Sequence, residues 1–250
     1  MTNILRKTAR IMFGRLLPRI AYPVLRGPLR NSRFVLGALE GKGGGATVYF
    51  NMLEPEQAAS MVSVLKMGQV LFDIGANVGF YTVLGSRLVG AKGKVLAFEP
   101  VARNLAYLYR HTVMNKLSNV TIVPAACSDS VSLELFATGE NNATGHLAGE
   151  RRDGGSGGSV SLVPTLSVDA VVQKMDVTPN VMKIDVEGAE LAVLKGAKVT
   201  LREAKPAIFL STHSEALKTD CLAYLKECGY RVEVLDRDTS DPSSFLATSP

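Results

Sequence analysis

The chain has 250 residues, of which 46% are hydrophobic and 20% are charged, and it carries a net charge of +5. These values fit one globular domain with a sizeable core. We expect no transmembrane helix, because no run of about 18 uncharged apolar residues occurs. Arg10 and Arg15 interrupt the apolar stretch near the N-terminus, which disfavours a secretory signal. Three cysteines without metal-ligand spacing favour reduced thiols and a cytoplasmic protein.

The positive charge is concentrated at the N-terminus. Residues 1–39 contain eight Arg and Lys residues and no acidic residue, so the remainder of the chain has a small negative net charge. The main domain is therefore not expected to bind nucleic acid. Residues 3–17 show helical periodicity, and such a basic amphipathic helix can contact a membrane surface, the domain itself or another subunit. We predict a basic, partly helical arm over residues 1–45 and leave these uses open.

Apolar periodicity beyond this arm predicts alternating helices and strands. We expect a helix over 54–68 and then, in order, strand 70–74, helix 79–89, strand 94–98, helix 101–115 and strand 119–125. A strand pair that includes 131–138 follows. Gly and Ser dominate residues 149–161, which we predict to form a mobile loop.

The alternation resumes after the loop and supports an α/β domain. The expected elements are helix 167–175, strand 180–185, helix 188–202, strand 206–211, helix 214–228 and strands 230–236 and 244–249. We therefore predict one domain over residues 46–250. Its sheet is expected to be mostly parallel, with helices on both faces and an antiparallel terminal hairpin.

The segment "FDIGANVG" indicates a ligand site after the first strand of this sheet. Asp73 precedes Gly75 and Gly79, which form a G-x-x-x-G pattern in place of the G-x-G-x-x-G that suits a pyrophosphate. A carboxylate at this point would repel a pyrophosphate but could receive an ammonium or sulfonium group. A glycine-rich turn with no ligand is the alternative.

The segment "VLAFEP" places Glu99 at the end of the second strand of the alternation. An acidic residue there accepts hydrogen bonds from the hydroxyls of a ribose, although it can also serve only to cap a helix. Together the two segments indicate a nucleoside with a cationic amino-acid tail. S-adenosylmethionine has these features.

Four segments together resemble the FkbM-type family of S-adenosylmethionine-dependent methyltransferases: "FDIGANVGFYT", "VLAFEP", "NVTIVPAACSD" and "VMKIDVEGAELAVLKG". The resemblance covers about residues 65–250. It implies a Rossmann-like sheet of seven strands with an antiparallel last pair, and methyl transfer that is usually onto oxygen. It also implies that the methionine end is held by Asp73, Gly75, Asn77 and Gly79, the ribose by Glu99, and the adenine by Ala126, Cys127 and Ser128.

Candidates for catalysis lie at the ends of the fourth and fifth strands of the sheet. Lys183, Asp185 and Glu187 are expected to share one side of a chain that is still extended, and Asp185 is expected to lie in the cofactor site near the methyl group. His213 could take the proton of an acceptor hydroxyl or could merely cap the next helix. Glu187 and His146 are candidate acceptor contacts. Glu187 and Glu190 could instead serve only the dipole of the following helix. His111, within a helix, is expected at the surface.

We predict no essential metal ion. Catechol-type enzymes place acidic and amide ligands at the ends of strands four and five, and only Asp185 clearly matches that arrangement. Members of the FkbM-type family often carry Glu where this chain has Ser211. The change further weakens a metal site.

The expected activity is methyl transfer to a hydroxyl of a carbohydrate, a lipid-linked glycan or a natural product. A nicotinamide-dependent oxidoreductase is the first alternative, but the G-x-G-x-x-G pattern is missing and Asp73 precedes the loop. A catalytically silent nucleoside-binding module is the second. The set of Asp73, Gly75, Gly79, Glu99 and Asp185 argues against it.

Overall fold

The computed structural model describes residues 18–39, 46–138, 145–147, 160–236 and 243–250, with only the backbone described at 145–147. The helix predicted over 3–17 lies outside these residues. So does most of the loop predicted over 149–161, but Val160 and Ser161 are the first two residues of a strand rather than part of a loop.

The described strands and helices follow the expected alternation. The strands are β1 (Ala21–Pro23), β2 (Arg33–Val35), β3 (Val70–Ile74), β4 (Lys94–Phe98), β5 (Val120–Val123), β6 (Ala126–Cys127), β7 (Ser132–Thr138), β8 (Gly145–Leu147), β9 (Val160–Leu166), β10 (Val181–Ile184), β11 (Ala207–Ser211), β12 (Arg231–Val234) and β13 (Ser244–Thr248). The helices are α1 (Pro55–Val64), α2 (Phe80–Val89), α3 (Ala102–Met114), α4 (Val168–Met175), α5 (Glu190–Gly196), α6 (Lys198–Glu203) and α7 (Glu215–Glu227), with a short 3-10 helix at Val48–Phe50. The single helix expected over 188–202 is thus two helices that meet at Ala197.

A seven-stranded sheet in the order β12-β13-β11-β10-β3-β4-β5 forms the centre of the domain. Only β13 runs antiparallel to its neighbours, β11 and β12. The predicted Rossmann-like α/β fold with an antiparallel terminal hairpin is confirmed. The inner strands are nearly continuous apolar runs, as expected for strands that helices cover on both faces.

The order of the strands reverses between β3 and β10. From β3 the chain proceeds outward through β4 and β5, and it then returns to place β10 and β11 on the other side of β3. Ile74 and Ile184 are register partners at the carboxyl ends of these two strands. In open α/β sheets a ligand crevice lies outside such a reversal. The fold therefore brings the chain after Ile74 and the chain after Ile184 to one place.

A four-stranded sheet in the order β6-β9-β7-β8 is inserted between β5 and α4. Phe136 of β7 and Val163 of β9 point to its buried side and pack with Ala126 and Val101. This insertion therefore builds one wall beside the carboxyl ends of β4 and β5.

Residues 18–39 belong to the same core as the rest of the domain. Strands β1 and β2 pair antiparallel, and the buried side chains of Leu29, Phe34 and Leu36 pack in one cluster with Leu84 of α2 and Met61 of α1. No helix in the described part of the chain has the length and apolar character to cross a membrane.

His111 is fully buried, so its predicted surface position is wrong. The strand β2 covers this face of α3, and the Val35 N–H donates to Nε2 of His111 at 3.0 Å. Nδ1 lies 2.6 Å from the Val78 carbonyl. Because an N–H can only donate and a carbonyl can only accept, the ring is neutral with its proton on Nδ1. The histidine therefore ties the N-terminal hairpin to the loop after β3.

We expect His111→Ala to lower the free energy of unfolding by about 2–5 kcal/mol, because two buried backbone groups lose their partners. Tyr109→Ala on the exposed side of the same helix is the matched control and should change stability by no more than about 0.5 kcal/mol. Denaturant unfolding at pH 7.5 measures both. Equal effects of the two substitutions would contradict the structural role of the histidine.

The variants His111→Ala and Tyr109→Ala should also differ in how the free energy of unfolding depends on pH. Burial lowers the pKa of His111 below its ordinary value. Between the lowered pKa of the folded state and the ordinary value of about 6.5, the unfolded chain binds a proton at His111 that the folded chain does not. The contribution of His111 to the free energy of unfolding is therefore complete above about pH 6.5 and decreases as the pH falls below it. We expect this decrease in the wild type and in Tyr109→Ala but not in His111→Ala.

Candidate active site

A pocket of about 540 Å³, including its open mouth, lies at the carboxyl edge of the seven-stranded sheet. The size is that of a ligand site for a small molecule. It brings together six of the predicted site residues, namely Gly75, Glu99, Ala126, Cys127, Asp185 and Glu187. The pocket lining does not include the other described site residues, which are Asp73, Asn77, Gly79, Ser128, Lys183 and His213. The side chain of His146 lies outside the described residues.

The loop after β3 forms the floor of the pocket. Gly75 has a φ of 79° and passes so close to the end of β10 that a Cβ would lie 1.8 Å from the Asp185 carbonyl oxygen. The N–H groups of Gly75 and Ala76 both donate to the Phe98 carbonyl, which fixes the loop on β4. A side chain at Gly79 would collide with Leu108, so Gly79 serves the packing of α2 on α3.

Glu99 organises the middle of the pocket. Its carboxylate is 4% exposed and accepts hydrogen bonds from the backbone N–H of Asn77 and Val101, both at 2.8 Å. The Asn104 amide donates to the same carboxylate at 3.3 Å. Burial raises the pKa of Glu99, while these three donors act to lower it. The side chain thus connects the loop after β3 to the first turn of α3 and still faces the pocket.

Asp73 and Lys183 form a buried polar group beneath the loop. Asp73 accepts from Thr82 through Oδ2 at 2.5 Å, whereas its Oδ1 is buried with no hydrogen-bond partner in the described structure. The Lys183 ammonium donates to Asp185 at 3.0 Å and to the Gly75 carbonyl at 3.4 Å. Burial acts to lower the pKa of Lys183, but Asp185 and Asp73 outweigh it and raise that pKa. Lys183 therefore remains a cation that holds the loop and Asp185 together.

The segment after β5 supplies an apolar wall. Ala126 and Cys127 are buried and line the pocket, and Ser128 follows them outside it. Burial raises the pKa of the Cys127 thiol, which keeps it protonated and unreactive at neutral pH. Phe136 of the inserted sheet completes this wall.

Four polar side chains converge beside the pocket at the ends of β10 and β11. Nε2 of His213 lies 3.4 Å from Oδ1 of Asp185 and 3.5 Å from Oε2 of Glu187. Nδ1 of His213 lies 2.6 Å from Oε1 of Glu190. Glu187 reaches this position in an unexpected way, because β10 ends at Ile184 and Glu187 adopts a left-handed conformation with a φ of 58°. The expectation of a chain still extended at Glu187 is wrong.

The three carboxylates determine the charge of His213. Burial acts to lower its pKa, but the hydrogen bond with Glu190 and the charges of Glu187 and Asp185 raise the pKa to about 9. Burial acts to raise the pKa of Asp185, and Lys183 and His213 outweigh it and lower that pKa. At neutral pH the group therefore contains an imidazolium among carboxylates.

Asp185, Glu187 and His213 also offer three ligand atoms within 4.8 Å of one another. Exposed acidic groups often lie together without a metal ion, and the imidazolium already balances part of their charge. The absence of an essential metal remains our prediction.

A family model described as the methyltransferase FkbM domain matches residues 73–232. The chain belongs to the FkbM methyltransferase family. Over 177 residues it is also 30% identical to hexuronic acid methyltransferase AglP of Haloferax volcanii, a match that covers 68% of this chain and 67% of that protein. The range that the family model matches, residues 73–232, includes every predicted site residue from Asp73 to His213.

Solved structures of methyltransferases share the fold of this FkbM family member. Methyltransferase FkbM of Methylobacillus flagellatus has 19% identity and a TM-score of 0.51, and the match covers 85% of this chain and 56% of that one. Precorrin-6y C5,15-methyltransferase of Geobacter metallireducens has 17% identity and a TM-score of 0.50, with coverage of 76% and 86%. At these identities the likeness concerns the fold alone.

The pocket residues that the sequence analysis of this FkbM domain missed include Asn104 and Phe136, and the role of Glu190 beside the pocket was undervalued. Asn104 could have been suspected, because it follows Glu99 by five residues on the next helix. Phe136 had no such signal, since it reaches the pocket only through the fold of the inserted sheet. Glu190 was considered as a helix charge, but it contacts His213.

Proposed function

We propose that this FkbM methyltransferase uses S-adenosylmethionine to methylate a hydroxyl group of a carbohydrate, with hexuronic acids as the leading class of acceptor. The observation that carries the proposal is the single pocket in which Gly75 and Glu99 adjoin Asp185 and Glu187. A nucleoside site and a set of titratable groups meet there, as a transfer reaction requires.

The pocket, together with Asp73 beneath its floor, has the acceptors and apolar walls that this cofactor needs. The unpartnered Oδ1 of Asp73 suits the ammonium group of a methionine tail, which would supply the missing hydrogen bond. Oε2 of Glu99 accepts one described hydrogen bond and can accept another from a ribose hydroxyl. Ala126, Cys127 and Phe136 offer the apolar walls that an adenine ring prefers. S-adenosylmethionine, when bound, supplies a methyl group from a sulfonium and leaves as a neutral thioether.

The titratable groups are arranged to receive the acceptor. Lys183 and the strand pairing hold Asp185 at the end of β10, where it can accept a hydrogen bond from a second hydroxyl of a carbohydrate acceptor. The neutral form of His213, which prevails above its pKa of about 9, can take the proton of the reacting hydroxyl on Nε2, the atom that lies 3.4 Å from Asp185 and 3.5 Å from Glu187. Orientation in well-aligned systems supplies up to roughly 7–11 kcal/mol, and a general base adds about 10²–10⁴-fold.

The acceptor class is supported by the relative from Haloferax volcanii, whose name gives a hexuronic acid as its substrate. Lipid-linked glycans and natural products also offer a hydroxyl group as the methyl acceptor. Contact of residues 1–17 with a membrane, which would favour a lipid-linked acceptor, remains a prediction about residues that the structure does not describe.

We expect the purified protein to transfer a labelled methyl group from S-adenosylmethionine to D-glucuronic acid or a glucuronoside, and to glucose more slowly. Mass spectrometry of the product locates the methyl group on a hydroxyl oxygen. Transfer should be unchanged after treatment with a chelator. Loss of activity that magnesium restores would overturn the prediction of no essential metal, and transfer to the carboxylate alone would overturn the assignment to a hydroxyl.

A further inference from the structure

Glu190 is the first residue of α5, and its side chain is fully buried. Oε1 lies 2.6 Å from Nδ1 of His213 and accepts a hydrogen bond from the Gly188 N–H at 3.1 Å. Oε2 is buried with no hydrogen-bond partner in the described structure. Burial of a carboxylate with an unpartnered oxygen is unfavourable. A place at a helix start compensates this only modestly. A role of the contact with His213 in the reaction would explain why this unfavourable burial of the Glu190 carboxylate is present.

In the neutral form of His213, which prevails above its pKa of about 9, the contact with Glu190 determines which ring nitrogen carries the proton. A carboxylate at 2.6 Å can only accept, so the hydrogen lies on Nδ1. Nε2 then points toward Asp185 and Glu187 at the edge of the pocket. This is the geometry in which a second carboxylate orients the imidazole of a general base.

We propose that Glu190 is a positioning residue for methyl transfer, which holds the Nδ1 proton of His213 and directs Nε2 toward the acceptor hydroxyl. The inference rests on the proposed function. As the acceptor oxygen forms its bond to the methyl carbon, its O–H bond breaks and the proton passes to Nε2. The electron pair of the broken methyl–sulfur bond remains on sulfur, and Glu190 stabilises the resulting imidazolium without leaving Nδ1.

Charged groups from several elements face this pair. Asp185 follows β10, and Glu187 lies in the next turn. Lys183 of β10 pairs with Asp185, and Cys221 of α7 lies close enough to Glu190 for the two to interact electrostatically. A test must therefore change Glu190 while leaving these groups in place.

Two substitutions separate the roles of charge and geometry. Glu190→Gln keeps an oxygen that the Gly188 N–H can hold toward Nδ1, so the tautomer should persist while the negative charge is lost. Glu190→Ala removes both. Glu215→Gln is the control, because Glu215 lies two residues after His213 but pairs with Lys218 on α7.

NMR of ¹⁵N-labelled imidazoles, recorded on the complexes with S-adenosylhomocysteine, measures the pKa of His213 by pH titration without any acceptor. Spectra recorded above that pKa, where the ring is neutral, identify its tautomer. We expect the Nδ1–H tautomer in the wild type and in Glu190→Gln, with the pKa lowered by about 1–2 pH units in the variant. We expect both tautomers in Glu190→Ala. An Nδ1–H tautomer that persists in Glu190→Ala would overturn the positioning role.

Kinetics with D-glucuronic acid complete the test. The pH at which kcat reaches half its maximum should fall in Glu190→Gln by the same amount as the pKa. In Glu190→Ala we expect kcat to decrease about 10²–10⁴-fold.

The dissociation constant of S-adenosylhomocysteine should stay within about threefold of the wild-type value in both variants, because Glu190 does not line the pocket. Unaltered kinetics in both variants would overturn this inference alone, whereas a wild type that neither binds S-adenosylhomocysteine nor transfers a methyl group would overturn the proposed function as well.

Discussion

Gly75→Ala is expected to abolish measurable binding of S-adenosylhomocysteine and to destabilise the domain more than any surface substitution. The residue has a φ of 79°, and the added Cβ would lie 1.8 Å from the carbonyl oxygen and 2.8 Å from the carbonyl carbon of Asp185. These are backbone atoms at the end of a central strand, so no side-chain rotation relieves the collision. Either β3 and β10 separate or the loop leaves its position, and both outcomes disrupt the pocket.

Gly68→Ala is the matched control for this substitution. Gly68 has a nearly equal φ of 82°, but an added Cβ would have no atom within 4 Å. It should therefore report the conformational cost alone, about 1–2 kcal/mol, with unchanged binding of S-adenosylhomocysteine. That cost corresponds to a decrease in Tm of about 2–8 °C in a domain of this size. Thermal unfolding and calorimetry measure both variants, and equal losses in the two would refute the close approach of Gly75 to Asp185.

Glu99→Ala should weaken binding of S-adenosylhomocysteine by about 10–150-fold, which corresponds to the roughly 1.5–3 kcal/mol of a hydrogen bond to a charged group. The carboxylate faces the pocket while it accepts from the backbone of Asn77 and Val101. Part of any loss could therefore come from a loosened loop. The exposed Glu203 is a suitable control, since Glu203→Ala removes a carboxylate that contacts only Arg202 in the described structure.

The 2′-deoxy analogue of S-adenosylhomocysteine separates the ligand contact from the loop. If Glu99 accepts from the ribose hydroxyls, the wild type should bind the analogue more weakly than the parent compound, and Glu99→Ala should bind the two almost equally. Calorimetry with both ligands completes this cycle. The same discrimination in both proteins would mean that Glu99 only organises the loop.

Much of the pocket could be predicted because several of its residues directly follow the apolar runs that form the strands of the sheet. The apolar runs that form β3 and β4 stop at Ile74 and Phe98, and the polar residues that follow face the edge of the sheet. Gly75, Glu99 and Asp185 were found in this way and Cys127 through the resemblance to the FkbM family, and the structure places all four in one pocket. Resemblance to the FkbM family added which part of a cofactor each would hold, and these roles remain proposals.

The residues that sequence reasoning misjudged take their place from distant parts of the chain. His111 has the pattern of a surface residue on α3, but β2 covers it through a hydrogen bond that spans 76 residues. Glu190 looked like a favourable charge at a helix start, but it contacts a histidine 23 residues later. Neither contact leaves a periodic signal, because periodicity reports only which side of an element is apolar.

Patterns in the amino-acid sequence are enough to predict the alternation of strands and helices, the parallel sheet and the position of polar residues at strand ends. These follow from backbone preferences and from the period of apolar residues, both of which act over short stretches of chain. The gathering of Asp185, Glu187 and Glu190 around His213 depends on the turn at Glu187 and on the packing of α5, which no local pattern predicts. The pKa of that histidine and its available nitrogen depend on distances of a few ångströms between separate elements, and electrostatic and hydrogen-bond energies change steeply over such distances.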